Sequence, residues 1–142
     1  MNWGIEFVSE KFLPTLPEDC QVNPGRYGFE LALWLAQGLG REGIITSYPD
    51  DEDWAWFLDY EPSDELNLAI CCASRCGIGA GYGGRAIGWT VSIHERRSMK
   101  QRIRNLSRHD ELETLGQRIV ALLRAEEIEP VRIINQDTRA AM

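Results

Sequence analysis

The sequence predicts an α+β fold, a two-layer sandwich in which two helices pack on one face of a mainly antiparallel sheet of five to six strands. Three observations predict it. Several short segments alternate apolar and polar residues with period two, the mark of a half-buried strand. Two longer segments carry apolar residues at helical spacing. Turn residues separate the strands closely enough for hairpins, which favours antiparallel pairing and helices gathered on one side.

Trp3, Ile5 and Phe7 alternate with Gly4 and Glu6, which gives a first strand. Pro14 and Pro17 break the chain. Asn23-Pro24-Gly25 reads as a helix opening, because Asn caps well and Pro fits the first turn. Gly28, Leu31, Ala32, Leu35, Ala36 and Leu39 then form one helical stripe, and Gly40 and Gly43 stop it. Ile44-Ile45-Thr46 reads as a short strand. Trp54-Ala55-Trp56-Phe57-Leu58-Asp59-Tyr60 is a strand by composition, with Trp54, Trp56, Leu58 and Tyr60 on one face. Leu66, Leu68, Ile70 and Cys72 alternate in the next strand, and Ile87, Trp89, Val91 and Ile93 in the one after. Between these two lies Gly77 to Gly84, with five glycines in eight residues, expected to be a mobile hairpin loop. A second helix is expected to nucleate near Ser107, with Asp110 as a capping partner and Leu112, Leu115, Ile119, Leu122 and Leu123 as its stripe. Pro130 ends it, Val131 to Ile134 adds an edge strand, and residues 136–142 read as a frayed tail. The polar alternation leaves the sheet face away from the helices to solvent or a partner.

With 142 residues, 44% hydrophobic and 26% charged, the chain reads as one domain, 1–142, able to bury a single core. It has no apolar run of the roughly 18 residues a membrane span needs. Its start lacks the basic and apolar regions of a signal peptide. A cytoplasmic protein without membrane contact is expected. The charge is segregated. Residues 1–65 carry 14 acids against 3 bases, and residues 66–109 carry 8 bases against 1 acid. The formal net charge is -7, so nucleic acid is an unfavourable partner even with Arg96, Arg97, Lys100, Arg102, Arg104 and Arg108 in the basic middle.

Four features could carry chemistry. Gly79-Ala80-Gly81-Tyr82-Gly83-Gly84 matches G-x-G-x-x-G, but a strand follows it where a dinucleotide cradle needs a helix. Cys71, Cys72 and Cys76 lack a second ligand pair, so no metal is expected. Cys71 and Cys72 are strand neighbours and point to opposite faces. Cys76, beside Arg75, could be an activated thiol, with His94 as a distant companion. No catalytic residue and no cofactor follows from these patterns. The fourth feature is Asp50, Asp51, Glu52 and Asp53 followed by Trp54 and Trp56. Core packing of the aromatics above a solvated acidic turn is one reading. A recognition surface is the other, since Trp is a favoured hot spot and carboxylates attract basic partners.

Asn23-Pro24-Gly25, the helix Phe29-Glu30-Leu31-Ala32-Leu33-Trp34-Leu35 and the box Glu52-Asp53-Trp54-Ala55-Trp56 together resemble a group of small bacterial proteins of unassigned function. That group typically has Glu-Asp-Trp-Gly-Trp at the box, where this chain has Ala55. The resemblance covers about the first 60 residues and implies no reaction.

The functional expectation is a non-catalytic binding protein, in kind an inhibitor, immunity or regulatory protein. Its partner would be another protein, met through Asp50, Asp51, Glu52, Asp53, Trp54, Trp56 and Tyr82. Two alternatives stand beside it. One is a small-molecule binder or enzyme using Cys76 and His94 with the glycine loop as a lid. The other is a structural subunit that forms a homodimer or larger homo-oligomer through its sheet.

Overall fold

The computed structural model describes residues 2–52, 54–64, 66–96 and 109–135. Six strands form one antiparallel sheet: β1 (Asn2–Ser9), β2 (Asp50–Glu52), β3 (Ala55–Ser63), β4 (Leu66–Ser74), β5 (Ile87–Glu95) and β6 (Arg132–Asn135). Their order across the sheet is β2-β3-β4-β5-β1-β6. Among the described residues two α-helices, α1 (Phe29–Arg41) and α2 (His109–Ala125), pack against it, so the fold is α+β. The expected nucleation site Ser107, the basic residues 97–108 and the tail 136–142 lie outside the described residues.

The core forms because every long strand turns its apolar set to the helices. Trp3, Ile5 and Phe7 of β1 join Trp56 and Leu58 of β3, Leu68, Ile70 and Cys72 of β4, and Trp89, Val91 and Ile93 of β5. Leu31, Leu35 and Leu39 of α1 and Leu112, Leu115, Ile119 and Leu123 of α2 close it from above. Gly116 makes the α2 contact feasible. A Cβ there would lie 2.2 Å from the Trp3 ring, so the indole rests directly on the helix. Its Nε1 donates to Glu113 Oε2 at 3.1 Å.

Four local expectations are corrected. Helix α1 opens at Phe29 after Gly28, not at Pro24. Asn23 to Arg26 instead form a turn closed by the Arg26 N–H on the Asn23 carbonyl. The chain then crosses the end of β4 so closely that a Cβ on Gly28 would meet the Cys72 carbonyl oxygen at 2.4 Å. Ile44-Ile45-Thr46 is not a strand. The strand of that region is β2, made of three acids that intrinsic propensity disfavours. It forms because its hairpin with β3 supplies the pairing. Trp54 does not share a face with Trp56, because it sits in the turn and swings to the opposite side. Finally, the sheet face away from the helices is not uniformly polar. Ala55, Phe57, Ala69, Cys71 and Ala73 form a second buried cluster there.

Candidate functional site at the β2 edge

Strand β2 ends the sheet and carries nothing but carboxylates. Its register sets Asp50 opposite Phe57 and Glu52 opposite Ala55, on the face away from the helices, and Asp51 opposite Trp56 on the helix side. All three acids are exposed. Asp50 Oδ1 accepts the Asp51 N–H at 3.0 Å, so the strand caps one of its own amides with a side chain.

The hairpin turn then presents Trp54, which is 48% exposed. Its ring meets Phe57 edge to face at 5.7 Å. Arg96, the residue after β5, lies over the Phe57 ring. Its guanidinium is 5.3 Å from the Phe57 ring centre and bridges Glu52 and Asp59, each at 3.1 Å. One of the edge acids is thereby half neutralised, while Asp50 and Asp51 make no ion pair among the described residues. Tyr48 extends the aromatic surface toward the helix side, where it leans on Phe29 at 6.1 Å. Ile45 is also exposed nearby in sequence.

Trp56, two residues from Trp54, belongs to the interior. It is 8% exposed and packs edge to face on Phe29 at 5.2 Å. The structure therefore brings Asp50, Asp51, Glu52 and Trp54 together on one hairpin and assigns Trp56 to the core beneath them. Asp53 lies outside the described residues. Tyr82 is not part of this surface. Its ring turns onto Tyr27 at 5.4 Å and its hydroxyl donates to the Leu16 carbonyl. Tyr48, Phe57 and Arg96 are the residues around this candidate site that pattern reading missed. Arg96 was visible only as one member of a basic run, and Phe57 as the odd position of an aromatic strand.

Cys76 and His94 are not brought together. The Arg75 N–H bonds Gly88 at the start of β5, whereas His94 lies six residues further along that strand, about 20 Å away. His94 is half-buried on the face away from the helices, with Nε2 3.0 Å from Ser92 Oγ. Burial, reinforced by positive charge that includes Arg96, holds its pKa below the ordinary value. Burial likewise pushes the Cys71 thiol up to about 12 and the Cys72 thiol well above its usual range, so neither ionises readily. All four cysteines are free thiols.

Among the described residues, no group of three or more His, Cys, Asp or Glu side chains is placed to hold a metal ion. No described helix is long and apolar enough to cross a membrane. A crevice of about 60 Å³ lies where Ile44, Tyr60 and Leu68 meet Leu115 and Arg118 of α2. It has room for a few waters, well below the roughly 300 Å³ at which ligand pockets begin.

The β2 edge can offer a cation a ring face and carboxylate oxygens side by side. No family model matches this chain, nor does any of the curated proteins or solved structures compared with it.

Proposed function

We propose that the protein works by binding, not by catalysis, and that it engages a basic protein partner through the exposed β2–β3 turn. The kind of protein this suits is an inhibitor, immunity or regulatory protein of the cytoplasm, where four free thiols would stay reduced. The observation that carries the reading is Trp54, 48% exposed beside three exposed carboxylates on a strand that no other described strand pairs on its outer side. A large exposed aromatic beside unpaired charge is the composition of a binding hot spot. The self-capped Asp51 amide favours recognition by side chains over addition of a partner strand.

Affinity capture from the native host tests this. A basic protein should be retained by the parent and lost from a Trp54→Ala bait that stays fully folded at the temperature of capture. Equal retention by both baits, or no specific protein on either, would count against the reading.

A further inference from the structure

The glycine segment that follows β4 is anchored in a way its composition conceals. Residues Ala80–Gly83 form one 3-10 turn. Gly81 is seated against the fully buried Tyr27: a Cβ at Gly81 would lie 2.6 Å from the Tyr27 ring and 2.8 Å from Pro14. The Gly79 N–H donates to the Tyr27 hydroxyl at 2.8 Å, and that hydroxyl donates onward to Glu18 Oε2 at 3.1 Å. Tyr82 fastens the turn to the Leu16 carbonyl and also accepts from Gln21 Nε2 at 3.4 Å.

Three of the five glycines are explained by this arrangement. Gly81 is needed for the close contact, and Gly79 and Gly84 have φ of 78° and 74°, where only glycine is comfortable. Gly77 and Gly83 are not explained. Neither has a positive φ, and neither has any atom within 4 Å of where a Cβ would stand. Alanine would fit the seated form at both positions and would cost less backbone entropy to order. What glycine adds at those two points is freedom in some other arrangement. Gly77 stands three residues before the 3-10 turn and Gly83 is its last residue. Beneath the turn, Gln21 is 8% exposed, and its Oε1 is buried with no hydrogen-bond partner. A permanently closed cover would be expected to satisfy that acceptor.

We propose that residues 77–84 are a hinged strap that lifts as a unit about Gly77 and Gly83, leaving its seat on Tyr27 and baring Glu18, Gln21 and the Tyr27 ring. The seated form is the one described above. The lifted form breaks the Tyr82–Leu16 and Gly79–Tyr27 hydrogen bonds while β4 and β5 stay paired. This device is independent of the β2 edge and stands whether or not that edge binds a partner.

Hydrogen exchange read by mass spectrometry on the full chain tests it, with the parent, the Gly77→Ala/Gly83→Ala double variant and Tyr82→Phe. Strap amides, including Gly79, should exchange in the parent well before those of β4 and β5. The double alanine variant should slow strap exchange by about fivefold, because the lifted state loses entropy that the seated state never had. Tyr82→Phe should speed it by about fivefold through loss of one fastening hydrogen bond. Exchange of the strap only together with β4 and β5 overturns the proposal. So do strap rates that neither substitution moves, and so does faster exchange in the double alanine variant, which would mean that the seated form needs those glycines.

Discussion

Among the described residues the sheet has two open edges, and they are built differently. At one end β2 is three residues of carboxylate, with Asp50 capping the Asp51 amide and Trp54 standing in the adjoining turn. At the other end β6 is Arg132-Ile133-Ile134-Asn135, a strand with one charge, whose Ile133 is 47% exposed and whose neighbour Val131 is 73% exposed. Charge is the usual guard of an edge, because unpaired backbone invites another strand. The β2 edge is guarded and the β6 edge is not. Two roles can be separated for the acids of β2: keeping strands away, as their charge does at an edge, and drawing in a basic partner, as the proposed function requires. The aromatic turn distinguishes them, since a guard needs no exposed tryptophan.

The largest expected effect separates the two tryptophans of the β2–β3 hairpin. Trp56→Ala empties part of the core and should cost about 3–5 kcal/mol in chemical denaturation. Trp54→Ala removes an exposed ring and one edge-to-face contact, so it should cost less than about 1.5 kcal/mol. Similar losses from both would place Trp54 in the structural framework and take the aromatic turn out of the binding surface.

A smaller effect distinguishes the edges by self-association. Asp50→Thr/Asp51→Thr leaves the fold intact, within about 0.5 kcal/mol as for other surface changes, but removes the guard. Light scattering on slow heating should show earlier aggregation. Ile133→Lys at the other edge should delay it. If the double threonine variant aggregates no sooner than the parent, the β2 acids are not guards and partner binding alone accounts for them.

The smallest effect lies between the edges. His94 sits on β5, paired in register with Asn2 of β1 and Ala69 of β4. Its folded pKa lies below the ordinary 6.5, so the unfolded chain takes up that proton more readily than the folded one. Its contribution to stability is therefore full above pH 6.5 and is lost as pH falls through the lower folded value. Denaturation midpoints measured downward from pH 7.5 should fall more for the parent than for His94→Gln. Equal slopes would show that the sheet interior does not resist charging at this position.

Much of this architecture was legible from residue patterns. The period-two runs in β1, β4 and β5 and the stripes Leu31-Leu35-Leu39 and Leu112-Leu115-Ile119 are large signals, because each strand has one face against the helices. What failed were features set by pairing and turn geometry that intrinsic propensity and simple periodicity do not register. Asp50-Asp51-Glu52 has poor strand propensity and became a strand through its hairpin with β3. Trp54 follows the parity of Trp56 on paper, but the turn between β2 and β3 breaks that parity. The Asn-Pro-Gly segment looked like a helix start, yet its backbone was needed at the end of β4, where the Tyr27 N–H donates to the buried Ser74 Oγ at 3.0 Å. Of the site, the acids and Trp54 could be read. Arg96 and Tyr48 could not, because only the fold brings them near.

The central claim is that the β2 edge, and not the β6 edge, meets the partner. Carboxyl footprinting of the protein with and without its captured partner tests this most directly. It labels Asp50, Asp51 and Glu52 at one edge and Glu126, Glu127 and Glu129 in the turn leading to the other. The account predicts that labelling of Asp50 and Asp51 falls in the complex while the 126–129 carboxylates are unchanged. Protection of Glu126 to Glu129 with Asp50 and Asp51 still fully labelled would contradict it.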